Sequence, residues 1–306
     1  MAYSYPGTPV KVGSDLTTTE IHHLMKTPSL LRKRLATILD HKFIADYLLA
    51  GRFTAEGGAI LYETGEEIFP ADSPEAIAPG GEYPKTVMTT GELASAKTRK
   101  TGLASDVTDE AISRLLINPV DRGLRKIANG MIRDIDGTAL GVIASKVAQT
   151  FAAPAQWTSG EAIVDTVLSA KAKAEEDHIE ESFDYSVVAL KPTQFAKVAA
   201  SLIKSDLVPR ESGNFVLSGV IPDYLGLTWV TSQHVPFSDP ILVDRDQLGG
   251  MADEKITSPG YVGYDGLEGK SIRKDERDMY TVQARRITVP VVLEPNAGIR
   301  ITGTGV

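Results

Sequence analysis

Cysteine is absent from the 306 residues. That excludes disulfides, thiolate metal sites and thiol nucleophiles. Apolar residues never run for the ~18 positions that a membrane-spanning helix needs, so no membrane span is expected. The opening "MAYSYPGTPVKVGSD" lacks a basic stretch followed by an apolar run and does not read as a secretory signal. Positive charge is short: 32 Lys and Arg stand against 40 Asp and Glu, a formal net charge of −8. A dedicated nucleic-acid binder would show a basic field. A wall that encloses nucleic acid without gripping it fits this balance.

Catalytic patterns are also missing. The five histidines, His22, His23, His41, His178 and His234, show no ligand spacing. Neighbours such as His22 and His23 diverge by about 100° on a helix. No G-x-S-x-G elbow is present. "GLEGKS" at 266–271 resembles the end of a phosphate-binding loop, but the glycine required five positions before Gly269 is Tyr264, and no helix is expected after it. "IRKDERD" at 272–278 is either surface or an intersubunit ion-pair network. The expectation is a protein with no catalytic residue, cofactor or metal.

What is present reads as α+β. Residues 17–26 predict a short helix. Pro28 restarts the chain, and Leu31, Leu35, Ile38 and Leu39 predict one helix that stops at Gly51, with Arg32, Lys33 and Arg34 on a solvated face. These first fifty residues read as an arm laid across something larger. Residues 60–85, "ILYETGEEIFPADSPEAIAPGGEYPK", carry Ile60, Leu61, Tyr62, Ile68, Phe69 and Tyr83 among many prolines and glycines, with six acids against one base. Two strand-like pieces there suggest a long hairpin with a ragged tip. A lone hairpin is marginal in water and its edges invite pairing, so its apolar side chains need a partner surface.

Thr108 predicts a helix cap, and Asn118 with Pro119 a second start. Val120, Leu124, Ile127, Met131 and Ile135 form the apolar stripe of this long helix. Gly123, Gly130 and Gly137 recur along it. Each costs about 1 kcal/mol against alanine in a helix, which predicts close packing against a strand. "TSGE" at 158–161 reads as a capping box of Thr158 with Glu161. A β/α unit over 147–248 and a strand-rich tail complete the chain.

The order of these parts resembles the major capsid protein of tailed double-stranded DNA bacteriophages, the Hong Kong phage-type capsid fold. "SDVTDEAISRLLINPVDRGLRKIANGMIRDIDGTAL" looks like the entry to that family's peripheral domain and its spine helix. "VVALKPTQFAKVAASL" and "ILVDRDQLGGM" are similar to its axial domain, and "DERDMYTVQARRITVPVVLEPNAGIRITG" looks like strands returning to the peripheral domain. The resemblance implies an N-terminal arm (1–54), an extended loop (55–84), a peripheral domain in two parts (85–146 and 249–306) and an axial domain (147–248). It implies a structural role: pentamers and hexamers closing into an icosahedral shell around double-stranded DNA, in the virion, assembled in the host bacterial cytoplasm.

Scaffolding, portal and decoration proteins are the implied partners; no membrane is. Ile60, Leu61, Tyr62, Ile68, Phe69 and Tyr83 would then cover a neighbouring subunit. Some members of that family carry a loop lysine that forms an isopeptide bond between subunits. Residues 57–84 hold no lysine, which speaks against a cross-link. The alternatives are an encapsulin-type compartment shell, which shares the fold, and an α+β enzyme with an unrecognised site.

Overall fold

The computed structural model describes residues 17–39, 43–64, 76–77, 83, 85, 91–177, 183–205, 226–264 and 266–305. In chain order the helices are α1 (Thr18–Lys26), α2 (Pro28–Leu39), α3 (Ile44–Leu48), α4 (Asp109–Leu115), α5 (Asn118–Lys146), α6 (Gly160–Asp177) and α7 (Pro192–Lys204). The strands are β1 (Gly51–Thr54), β2 (Ala59–Thr64), β3 (Glu92–Lys97), β4 (Arg99–Thr108), β5 (Thr150–Ala152), β6 (Val187–Leu190) and β7 (Thr228–Thr231). They continue as β8 (Ile241–Val243), β9 (Gly249–Asp253), β10 (Val262–Tyr264), β11 (Leu267–Lys274), β12 (Met279–Val292) and β13 (Gly298–Thr302). The class is α+β.

A six-stranded sheet is built around β12. That strand pairs antiparallel with β4, β11 and β9, while β1 adds parallel to β9 and β10 antiparallel to β11. A five-stranded sheet runs β5-β13-β8-β6-β7; α6 packs on its β13 and α7 packs on α6. Helix α5 lies on β4 and β12. Its residues Val120, Leu124, Ile127, Met131 and Ile135 are all buried in one core cluster that reaches both sheets. At 29 residues it is about 43 Å long, from ~1.5 Å per residue.

The glycine row of α5 has a partial cause. A Cβ at Gly123 would lie 2.9 Å from the Ser105 hydroxyl, and one at Gly130 would lie 2.2 Å from Leu103 Cδ1, both on β4. A Cβ at Gly137 would meet nothing within 4 Å.

Several local expectations shift. The helix predicted through to Gly51 is two helices. The N–H groups of Ile44 and Ala45 donate to the Asp136 carboxylate of α5, which starts α3 there. Gly51 opens β1 instead of ending a helix. Residues 17–54 do not stand off as an arm: Ile21, Leu24, Met25, Leu31, Leu35 and Leu39 join the subunit's own core, and Arg34 grips Asp121 of α5 bidentately at 2.7 and 2.9 Å. Arg34 is thus not on a solvated face.

Helix α5 starts one residue earlier than expected, with Ile117 as the cap. Ser159, not Thr158, caps α6: its hydroxyl accepts the N–H of Ala162 at 3.3 Å. The hairpin's return strand is β3, beyond residue 84, because β2 pairs with it from Ala59↔Lys97 to Thr64↔Glu92. The tail divides. β12 and β9 belong to the six-stranded sheet, but β13 joins the five-stranded one, after a 3-10 turn at Pro295–Ala297 redirects the chain.

Candidate intersubunit surface

The β2–β3 hairpin is anchored at its base. Glu254 accepts the Gly58 N–H at 3.1 Å and the Thr98 hydroxyl at 2.7 Å, clamping both strands to the residue that follows β9. Gly57 and Gly58 have φ of +64° and +85°, which only glycine adopts readily, and they turn the chain into β2. Farther out the Thr64 hydroxyl donates to the Leu293 carbonyl at 2.6 Å.

Period-two alternation sorts the hairpin's side chains. Ile60 and Tyr62 face inward and pack against Ala55, Ala252 and Val291. They are half-buried within their own subunit, contrary to the expectation that they wait for a neighbour. Leu61 points the other way and is 70% exposed. The register sets Leu61 opposite Ser95 and Glu63 opposite Leu93, so Leu61 and Leu93 are diagonal neighbours on one face, and Leu93 is 67% exposed. Tyr83 is 82% exposed. Ile68 and Phe69 lie outside the described residues. The sequence reading missed Leu93. Only its pairing register, visible in three dimensions, places it beside Leu61.

Behind the hairpin the frame is held by buried charge. Arg286 of β12, 2% exposed, donates to Asp46 at 2.8 and 2.9 Å and to Asp253 at 3.0 Å through both Nε and Nη2. Burial alone would raise the Asp46 carboxyl. Arg286, and then Arg52, outweigh it and hold the group below its ordinary value. Arg285 pairs with Glu268 and stacks on the Tyr261 ring, its guanidinium carbon 3.8 Å from the centroid. Asp136 is fully buried and, among the described residues, has no ion-pair partner. Burial pushes its carboxyl up to about 6, against the pull of the Ala45 and Ile44 N–H groups, with Asp46 adding and His234 subtracting.

Within the 272–278 run Arg273 finds its partners in its own subunit. Arg273 forks onto Asp109 at 2.7 Å through both terminal nitrogens and reaches Asp275 at 2.9 Å. That hydrogen bonding lowers the Asp109 carboxyl.

His22 rests against the Tyr280 ring, with centroids 5.8 Å apart, and His41 and His178 lie outside the described residues. Residues 267–274 form the regular strand β11 rather than a phosphate loop. Among the described residues no group of three His, Asp or Glu is placed to hold a metal ion, and no helix is long and apolar enough to cross a membrane.

Comparison with solved structures places the architecture. The chain is similar to the capsid of the cyanophage P-SCSP1u, at 13% identity and a TM-score of 0.58, over 82% of this chain and 85% of that one. It is also similar to a phage-related protein from Bordetella bronchiseptica, at 13% identity and 0.56, over 90% and 97%. The holo-SrpI encapsulin complex from Synechococcus elongatus follows at 15% and 0.53, over 86% and 87%. At such identities these likenesses show the fold alone. No curated protein matches the chain. The model of the family described as phage capsid protein matches residues 92–301, from β3 through β13 and more than half of the chain, and the chain therefore belongs to the phage capsid protein family.

Proposed function

We propose that the shell built by this subunit is an icosahedral phage head, assembled from rings of five and six copies and enclosing double-stranded DNA. The protein is a major capsid shell protein that works as a structural component of the virion, in assemblies of many copies of itself. The finer reading rests chiefly on one observation. A hairpin anchored at its base by Glu254 presents Leu61 and Leu93 to solvent on a single face, while the subunit's own core is complete without them. A second copy in a ring is the natural cover.

In this reading the six-stranded sheet with α5 forms the peripheral domain, with α5 as spine helix and Val120, Leu124, Ile127, Met131 and Ile135 as its inner face. The five-stranded sheet with α6 and α7 forms the axial domain, and β2, β3 and the residues between them form the extended loop. Residues Leu61, Tyr83, Ile68 and Phe69, with Leu93 added, contact the neighbour. Scaffolding and portal proteins, and decoration proteins where present, complete assembly in the host bacterial cytoplasm.

Purified particles from a phage-producing culture test this. Double-stranded DNA inside a shell whose main band is this chain, with a portal at one vertex, is the expected result. Enzyme cargo in place of DNA would assign the shell to the encapsulin-type alternative.

A further inference from the structure

The outward face of α5 departs from the acidic balance of the chain. Arg122, Arg125, Lys126, Asn129 and Arg133 are all exposed. At about 100° per residue they fall on one stripe, opposite Leu124, Ile127 and Met131. The stripe has no exposed acid. Asp121 is held by Arg34, and Asp134 accepts from Arg99 at 3.2 Å and from the Thr101 hydroxyl at 3.0 Å. Among the described residues none of the four cations has an ion-pair partner.

At its C-terminal end the stripe runs into an open groove of about 600 Å³ between α5 and β4, lined by Arg133 on one wall and Lys100 and Arg99 on the other, with Asp134, the ion-pair partner of Arg99, also in its lining. Gly137 lines the same groove, and nothing lies within 4 Å of where its Cβ would be, so the floor is open to an approaching group. A protein of net charge −8 that gathers unpaired cations on a rigid helix has built a local attractive field in a repulsive whole.

We infer that the α5 stripe and the β4 groove form a sequence-independent contact surface for the phosphate backbone of double-stranded DNA, and hence that this face of the subunit looks into the shell. The inference rests on the DNA-enclosing reading above and deepens it. The four cationic side chains are long and spread over about three helical turns, with no aromatic ring beside them and the Asn129 amide as the one amide fork able to read a base edge. They suit phosphate neutralisation, which carries affinity without sequence information. The chain's own acidic loop, with Glu63, Glu66, Glu67, Asp72, Glu75 and Glu82, is the rival occupant from a second copy. It offers scattered carboxylates rather than a regular anionic lattice.

The test uses the purified full-length subunit and its shells with a short random-sequence duplex, read by fluorescence anisotropy across a salt series. Four phosphate contacts predict a log–log salt slope of about −3.6, or roughly a 100-fold loss of affinity between 50 and 200 mM salt. The variant Arg122→Gln, Arg125→Gln, Lys126→Gln, Arg133→Gln should lose most of that slope while still assembling. A control that removes equal charge elsewhere, Lys197→Gln, Lys204→Gln, Lys255→Gln, Arg277→Gln, should keep it. An unchanged slope in the stripe variant would overturn the inference, as would a wild-type subunit that does not bind the duplex at low salt. Failed assembly with an unchanged slope would likewise overturn it and give the stripe to the acidic loop. Electron microscopy of the wild type reports separately whether shells form, so a failure of the capsid reading is distinguishable.

Discussion

Asp136 stays ionised at neutral pH against the resistance of its surroundings. Its value of about 6 lies above the ordinary 3.8, so the folded state binds the proton more tightly than the unfolded chain. The stabilisation from this group is complete below the ordinary value and is lost as pH rises through about 6. Lowering pH from 7 to 5 should therefore favour wild type over Asp136→Asn by about 1 kcal/mol, seen as a rise in the wild-type melting temperature relative to that of the variant. Parallel profiles would contradict the assignment. Asp46 runs the other way: its lowered value gives stability that is lost as pH falls. Arg286 holds Asp46 and Asp253 together in a dry site. Arg286→Met leaves Asp253 without its cation and Asp46 with only the more exposed Arg52, at 2.8 Å, and should destabilise the subunit by about 3–5 kcal/mol in denaturant titration.

At the scale of elements, the glycines separate into two kinds. Gly137→Ala meets no atom and removes a helix defect, so it should stabilise by about 1 kcal/mol. Gly250→Ala would drive a Cβ to within 2.3 Å of the Gly51 carbonyl oxygen and should break the β1–β9 pairing, with a clear fall in melting temperature. The hairpin offers a similar contrast. Leu61→Ser with Leu93→Ser removes two exposed anchors, about 1.5–3 kcal/mol gross for each one buried on assembly. Shells should weaken or fail to form while the subunit melts unchanged. Ile60→Ser, on the inward face, should lower the subunit's own melting temperature. If the double variant assembles with normal yield, the exposed face is not the clasp.

Legibility followed the same division. Helix α5 was readable because five apolar residues repeat at helical spacing, and the Thr108 cap because a hydroxyl acceptor precedes two acids. Strands β3 and β4 were not. "ELASAK" and "RKTGLASDVT" carry small and polar side chains, and β4 is a strand because β12 pairs with it from Met279↔Thr108 to Thr288↔Arg99, far along the chain. The Arg286 site was invisible for the same reason: Asp46 lies 240 residues away.

The whole molecule joins a core that closes on itself to a hairpin that leaves apolar residues outside. A single chain of this kind gains little from one weak contact, but contacts repeated around a ring and between rings accumulate by multivalency. Because residues 57–84 contain no lysine, mature particles boiled in denaturant should give one band near 32.9 kDa. A ladder of covalent multimers would show that another lysine, such as Lys85, bridges subunits.

Self-assembly is tested most directly by electron microscopy of the purified wild-type chain at native concentration, with scaffold supplied, alongside light scattering. Closed shells of uniform size, resolving into five-fold and six-fold rings, are the predicted result. A sharp monomer by light scattering, with no rings or shells in the micrographs, would contradict it.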